Sequence, residues 1–202
     1  LDYQIGSEWG KKTVLSSDLD QATPEFIRAA KSTASYGGGT AFYLGKFNGH
    51  HLMGTNYHVQ PTSNCRGAAH FQLLSKAFPC KEVLGNWSQI DFALFAIRVD
   101  PADEASLLPL GRNFDFSRPI LSGQLLLTIG HGIANNPGRK LVANQDADCK
   151  VFSEEFRLMG DPDEYNPGPY QAWSFANGCD VSHGDSGSAM IDRLTGNPIG
   201  IL

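Results

Sequence analysis

The residues with the clearest chemistry are a serine and its neighbouring glycines in the segment CDVSHGDSGS, which runs from Cys179 to Ser188. A serine hydroxyl is a useful nucleophile only when a base removes its proton, and acyl transfer also requires donors for the developing oxyanion. Glycine lets the backbone curl tightly and turn its N–H groups toward a ligand. We therefore predict Ser186 as a nucleophile beside an oxyanion hole formed by the amides of Gly184 and Ser186. An ordinary surface turn has a similar composition, so other residues must decide between the two.

A histidine and an aspartate in two other segments could complete a catalytic triad with Ser186. His58 lies in TNYHV, just after the strand-like run HHLMGT, and Asp91 opens the apolar run IDFALF. A carboxylate entering a buried strand needs a partner, and an imidazole N–H is a natural one. Taken singly, each residue could be structural, but the chain order His, Asp, Ser is one of three in which this triad is built. The combination predicts His58 as general base and Asp91 as the group that orients it.

The same order argues against two other hydrolase folds. An α/β-hydrolase places its histidine after the serine and uses a G-x-S-x-G elbow. Here no histidine follows Ser186, and the last elbow position is Ser188. A subtilisin-like enzyme needs an aspartate before the histidine on a helix-rich α/β chain, which the strand pattern of this sequence opposes.

The elements that must position these residues are mostly short strands. The apolar or alternating runs TAFYLGK, HHLMGT, AAHFQLL, IDFALFAIRV, QLLLTIG, CKVF, SAMID and PIGIL are separated by turn residues. Asn48-Gly49 between the first two runs predicts a tight hairpin, and a second turn is expected from Leu194 to Asn197. Near the start, Thr23 and Pro24 predict the cap and first residue of a short helix. Strands do not alternate with long helices, so we predict an all-β fold rather than a parallel α/β fold.

Composition narrows the classes of partner. The chain has 202 residues, 41% of them hydrophobic, and a formal charge of -5 without a cluster of Lys or Arg. Such a chain can bury a core, and it lacks the concentrated positive surface that nucleic acids and anionic membranes require. No apolar run reaches the roughly 20 residues that span a bilayer. The first residues, LDYQIGSEWGKK, also lack the pattern of a signal peptide. We predict no nucleic-acid partner and no membrane partner.

Cysteine and histidine spacing argues against a metal site. The four cysteines form no CxxC pair, so two disulfides in an oxidising compartment are preferred, which predicts a secreted or periplasmic protein. A zinc site is disfavoured because the candidate histidines lie on presumed strands without helical H-x-x-x-H spacing. Those candidates are His50, His51, His58 and His70. We predict no metal and no cofactor.

The three candidate segments together resemble the signature blocks of the trypsin-like serine peptidases. The blocks are Thr55 to Val59, Asp91 to Leu94 and Gly184 to Ser188, and the resemblance extends from about Tyr36 to the end of the sequence. The segments YGGGTAFYL and NGCDVSHGDSGSAM are similar to the bacterial trypsin-like and glutamyl-endopeptidase-like branch. The resemblance implies two packed antiparallel β-barrels, after a short N-terminal helix, with the active site between them.

This resemblance divides the chain into two domains and implies an activity. Residues 1–110 would hold an N-terminal arm, the helix and the first barrel with His58 and Asp91. Residues 111–202 would form the second barrel, with Ser186. The implied function is a secreted serine endopeptidase that cleaves proteins or peptides through an acyl-enzyme.

The resemblance also suggests residues for substrate binding and for disulfides. Asp180 stands where trypsin carries the carboxylate at the floor of the primary pocket, which favours cleavage after Arg or Lys. Acid-cutting bacterial relatives, however, have a similar aspartate without basic specificity. His183 would edge the cleft. From their positions between strands, we expect two disulfides: Cys65 with Cys80, after the histidine, and Cys149 with Cys179, before the serine.

The sequence departs from the family at two points. Asp185 in such enzymes pairs with an amino terminus released on activation, whereas this chain begins Leu1-Asp2, so that kind of activation is not expected here. Family members also continue beyond PIGIL, so we expect an incomplete second barrel unless a lost segment or a second chain completes it. The alternative function is therefore a catalytically silent binding or adhesion module with a protease-like fold.

Overall fold

The N-terminal part of the chain forms an arm and one short helix. The computed structural model describes residues 4–110, 118–160 and 171–202. Strand β1 spans Lys12–Thr13 and helix α1 spans Pro24–Ser32. The Thr23 hydroxyl caps the helix by accepting a hydrogen bond from the Phe26 amide at 3.3 Å, and Pro24 occupies the first helical position. The predicted helix and its cap are confirmed.

The next six strands close into an antiparallel barrel. They are β2 (Thr33–Tyr36), β3 (Gly39–Phe47), β4 (His50–Thr55), β5 (Ala68–Phe71), β6 (Lys76–Trp87) and β7 (Phe92–Ile97). Their order around the barrel is β2-β3-β4-β7-β6-β5. Alternate residues point inward, and buried aromatic side chains fill the interior, with Tyr36 stacked on Phe95 at 4.2 Å between ring centroids. This barrel is a rigid base for residues at its strand ends.

The hairpin between β3 and β4 forms where the sequence predicts it. Phe47 pairs with His50 in the antiparallel register, and both turn residues have positive φ: 47° at Asn48 and 79° at Gly49. Asparagine and glycine tolerate that conformation best, and the turn therefore fixes the register of the two strands.

The second half of the described chain forms a five-stranded sheet and a separate hairpin. The strands are β8 (Leu126–Gly130), β9 (Val142–Asn144), β10 (Arg157–Gly160), β11 (Gln171–Ser174), β12 (Ala189–Asp192) and β13 (Pro198–Ile201). The sheet order is β1-β9-β8-β12-β13, while β10 and β11 form a separate two-stranded sheet. The N-terminal arm therefore supplies an edge strand of the second sheet. Val14 in this arm is buried in the same core as Leu127, Ile129 and Ile191.

The all-β prediction is confirmed, and the disulfide pairs are those expected. Cys65 is bonded to Cys80 and Cys149 to Cys179. The domain boundary after residue 110 stays a prediction, because residues 111–117 lie outside the described part of the chain. None of the helices within the described ranges combines the length and hydropathy that a membrane span needs.

Candidate active site

His58 and Asp91 meet because the strands that carry them are neighbours. Strands β4 and β7 are antiparallel, and Thr55 at the end of β4 pairs with Ala93 near the start of β7. A residue just after β4 and a residue just before β7 therefore lie at the same edge of the barrel. His58 and Asp91 are these two residues, although 33 positions separate them in the sequence.

Two hydrogen bonds join Asp91 to His58. Oδ2 of Asp91 lies 2.9 Å from Nδ1 of the His58 ring, and Oδ1 accepts a hydrogen bond from the His58 backbone amide at 3.0 Å. The His58 side chain is 29% exposed and that of Asp91 14%. A carboxylate held by both the ring and the backbone fixes the orientation of the imidazole, and Nδ1–H donates while the other ring nitrogen can act as a base.

Asp91 owes its position to an unusual backbone conformation. It ends a short 3-10 turn with φ 44° and ψ 46°, in the left-handed region that aspartate enters more readily than most residues. The side-chain amide of Asn56 donates to the Asp91 carbonyl at 3.0 Å and ties this turn to the segment after β4. Asn56 was not singled out from the sequence, although it lies two residues before His58.

The segment Ser182–Gly187, called the serine loop below, is bonded to the first barrel through Thr40 on β3. The Thr40 amide donates to the Ser186 carbonyl at 2.8 Å, and the Thr40 hydroxyl donates to the Gly184 carbonyl at 2.7 Å. Gly187 has φ 87°, and a Cβ at this residue would collide with the Thr40 carbonyl and the Thr55 hydroxyl. The loop therefore needs glycine both for its conformation and for its close approach to the barrel.

The polar groups of the serine loop assigned to catalysis make no hydrogen bond to the described part of the chain. Ser186 and Gly184 are half-buried, and Gly184 has φ 93°. Within residues 4–110, 118–160 and 171–202, neither their two amides nor the Ser186 hydroxyl makes a hydrogen bond. The structure thus pairs His58 with Asp91 and places Ser186 against the same barrel, without a Ser186–His58 hydrogen bond. In free enzymes such bonds are often long and tighten only when substrate binds.

Asp185, beside Ser186, is a buried carboxylate held by several partners. It is 1% exposed and accepts hydrogen bonds from the Gly132 amide at 3.1 Å and the Ser182 amide at 2.9 Å. It also forms an ion pair with the ammonium of Lys11, and both side chains are 2% exposed. Burial lowers the pKa of Lys11, although the Asp185 charge opposes this shift. The cationic partner of Asp185 is thus a lysine side chain of the N-terminal arm.

Asp180 also binds the N-terminal arm. Its two carboxylate oxygens accept hydrogen bonds from the Ile5 amide at 2.7 Å and the Gly10 amide at 2.5 Å, and the residue is fully buried. These contacts occupy the group that was predicted to form the floor of a basic pocket, so we do not assign Asp180 to substrate binding. His183 is exposed beside Gly184, and its role at the cleft stays a prediction.

Sequence reasoning missed two residues that hold the serine loop, Lys11 and Thr40. Neither lies in a catalytic motif, and of the two only Thr40, in the run YGGGTAFYL, lies in a segment that the sequence singles out. The histidines considered for zinc do not converge: His50 pairs with Glu82 and His51 with Glu104. In the described part of the chain, no cluster of three or more His, Cys, Asp or Glu could hold a metal ion.

Comparisons with solved structures return proteases. The Rv3671c protease in its inactive form matches with a TM-score of 0.63 and 20% identity, over 94% of this chain and 85% of that one. A mutant of Rv3671c from M. tuberculosis H37Rv matches with a TM-score of 0.61, 20% identity, and coverage of 94% and 82%. The HtrA-type protease AlgW with a tripeptide matches with a TM-score of 0.60 and 18% identity, over 88% of this chain and 52% of AlgW.

These likenesses confirm the chymotrypsin-like fold that the resemblance implied. No family model and no curated protein matches the chain. At identities of 18–20%, the structural likeness is evidence of fold and not of activity.

Proposed function

We propose that this protein is a serine endopeptidase in which Ser186, His58 and Asp91 form the catalytic triad. The observation that carries the proposal is the contact of the Asp91 carboxylate with both the ring and the backbone amide of His58. A carboxylate arranged in this way orients the imidazole to act as a base, and that base serves catalysis only if a nucleophile can reach it. The hydrogen bonds from Thr40 to Ser186 and Gly184 hold that nucleophile at the same barrel.

The proposed reaction proceeds through an acyl-enzyme. Nε2 of His58 takes the proton of the Ser186 hydroxyl as its oxygen attacks a peptide carbonyl, and the imidazolium then gives that proton to the leaving amine. Asp91 remains ionised and stabilises the imidazolium. Water next attacks the acyl-enzyme by the same proton transfers in reverse order, releasing the carboxylic acid and restoring Ser186.

The amides of Gly184 and Ser186, which make no hydrogen bond among the described residues, suit the oxyanion of this reaction. Each tetrahedral intermediate carries one negative oxygen, and two preorganised N–H donors stabilise it without rearrangement. The positive φ of Gly184 turns the loop at the first donor. The second donor belongs to the nucleophile itself, so the attacking atom and the oxyanion donors move as one unit.

The proposal also covers the compartment and the class of substrate. Two disulfides brace the chain, which supports a secreted or periplasmic location. We propose proteins or peptides as the substrates and a reaction that uses no metal or cofactor. A closer relation to the bacterial trypsin-like and glutamyl-endopeptidase-like branch, as the motifs suggest, remains part of the proposal.

Replacing Ser186 by alanine tests the function directly. The parent should hydrolyse denatured casein, and Ser186→Ala should reduce turnover by about a millionfold. Ser188→Ala is the matched control, because the Ser188 hydroxyl is buried without a hydrogen-bond partner in the described structure. A Ser186→Ala variant as active as its parent would rule out the assignment.

The alternative, a silent binding module, draws on the absence of a Ser186 hydroxyl bond within the described residues. An organophosphonate that reacts only with an activated serine separates the two functions. Stoichiometric labelling at Ser186 supports the peptidase. A folded parent that neither takes the label nor cleaves casein supports the binding module.

A further inference from the structure

The N-terminal arm, residues 4–14, contacts two carboxylates, one just before the serine loop and one inside it. The Ile5 and Gly10 amides reach Asp180, and the Lys11 ammonium reaches Asp185. The arm is fixed from the other side by β1, which pairs with β9, and by the Val14 amide, which donates to the Leu141 carbonyl at 2.9 Å. Lys11 is therefore held in place by backbone contacts on either side of it.

The backbone at the end of β8 lies close around the Asp185 carboxylate. A Cβ at Gly130 would meet the Ser188 hydroxyl and Oδ1 of Asp185, and a Cβ at Gly132 would meet Oδ2 of Asp185 and the Ser182 hydroxyl. These two glycines, at and just after the end of β8, therefore bring backbone without a side chain close to the carboxylate. The backbone and hydroxyl groups around it donate hydrogen bonds, and Lys11 alone among its partners in the described chain brings a full positive charge.

We propose that Lys11 is a positioning residue of the active site, whose ammonium holds Asp185 and thereby aims the amides of Gly184 and Ser186 at the oxyanion. The proposal rests on the proposed peptidase function. Asp185 lies between the two oxyanion donors in the chain, so any movement that exposes its carboxylate also moves both amides. Without Lys11 the buried carboxylate has no counter-charge, and moving toward water relieves that imbalance.

The ion pair gives the site a predicted sensitivity to alkaline pH. Lys11 is charged below its pKa and neutral above it, and burial sets that pKa below the ordinary lysine value of 10.5. Two carboxylates face Lys11, those of Asp185 and Asp180, and His131 faces Asp185 from the segment after β8. Activity should therefore fall as pH rises through the Lys11 pKa, because the neutral amine releases Asp185.

The variant Lys11→Met tests the proposal against Lys12→Met, its exposed neighbour on β1. We expect kcat for a peptide substrate to fall by about a hundredfold in Lys11→Met, the loss typical of one oxyanion donor, with KM changed far less. Lys12→Met should match the parent. Equal kcat values in a folded Lys11→Met variant and the parent would overturn the proposal.

A second variant covers the case in which Lys11→Met does not fold. Lys11→Arg keeps its charge over the whole alkaline range that would deprotonate the lysine, so it should retain much of the parent's kcat and lose the alkaline fall in activity. Circular dichroism at each pH separates this effect from unfolding. An alkaline limb unchanged in Lys11→Arg, or a parent without any such limb below pH 10.5, would contradict the proposal.

Hydrogen exchange distinguishes failure of this inference from failure of the peptidase assignment. In Lys11→Met, the amides of the serine loop should exchange faster, while those of β4 and β7 are unchanged. This readout does not depend on catalysis. A parent without peptidase activity would reject the proposed function, whereas identical exchange in the variant and the parent would reject the role of Lys11.

Discussion

The two halves of the candidate site are held in different ways. His58 and Asp91 lie at the ends of adjacent strands in a closed barrel, and their contact follows from the pairing of β4 with β7. The serine loop instead depends on partners from distant segments: Lys11 in the arm and Thr40 on β3. One half is positioned by neighbouring strands and the other by single side chains.

This difference predicts where the site tolerates change. A hydrogen-bonded pair at the rim of a barrel inherits the rigidity of the strands, so only changes to the pair itself should disrupt it. A loop held by a few side chains should respond to substitutions far from the reacting atoms. Substitutions in each half of the site test this contrast.

Among the substitutions that compare the two halves, the largest effect is expected from Asp91→Asn in the barrel half. The asparagine keeps the shape of the contact but no longer fixes the imidazole tautomer, so kcat at neutral pH should fall by about 10⁴-fold. Asp100→Asn, an exposed carboxylate after β7, is the control. Steady-state peptide hydrolysis measures both, and the barrel half would lose its assigned role if the two variants behaved alike.

Disulfide removal compares the stability of the two halves. Replacing Cys149 and Cys179 by alanine should lower the free energy of unfolding by about 3–4 kcal/mol. Their sequence separation is 30, against 15 for Cys65 and Cys80. The longer loop should therefore give a loss about 0.6 kcal/mol larger than removal of the shorter one. Denaturant unfolding of both variants checks the order, and the reverse order would show that native packing outweighs loop closure.

Thr40→Val sharpens the contrast within the serine half. The change leaves the Gly184 carbonyl and the His131 amide without the Thr40 hydroxyl, which should lower the free energy of unfolding by about 1–3 kcal/mol and reduce kcat. Thr128→Val is a matched control, because that buried hydroxyl has no partner among the described residues. Thermal unfolding and peptide hydrolysis of both variants test whether Thr40 holds the loop.

The smallest effect is expected on substrate choice. Because both oxygens of Asp180 accept amides of the arm, Asp180→Asn should weaken the fold but leave unchanged the ratio of kcat/KM values for matched Arg, Glu and Phe substrates. A selective loss of Arg cleavage in this variant would restore Asp180 to the substrate pocket.

The sequence was informative about the fold where local chemistry decides it. The Asn48-Gly49 turn, the Thr23 cap and the strands β4 and β7 all follow from residue type and periodicity, and each is confirmed. Strand β6 was missed, because Lys76–Trp87 contains a proline, a glycine and several charges that interrupt the alternation. Register shifts along its pairing with β7 absorb these interruptions.

The site was predictable only in its motif residues. His58, Asp91 and Ser186 lie in recognisable segments, and the structure joins the first two directly. Lys11 could not be found in this way, because a lysine in a short polar segment is most often solvated and only the tertiary fold buries it. The same limit affected Asp180, whose carboxylate is claimed by backbone amides about 170 residues away in the chain.

The long sequence separations of these contacts also imply an order in which they form during synthesis. Ile5 and Gly10 bind a carboxylate 175 and 170 positions later, so these two amides of the arm lack that partner until the segment before the serine loop has been made. Chains emerge from the ribosome amino end first, and contacts between remote segments form slowly. We therefore expect the barrel to fold during synthesis while the arm waits for the serine loop, so that a nascent chain is inert toward its neighbours until that loop has formed its contacts.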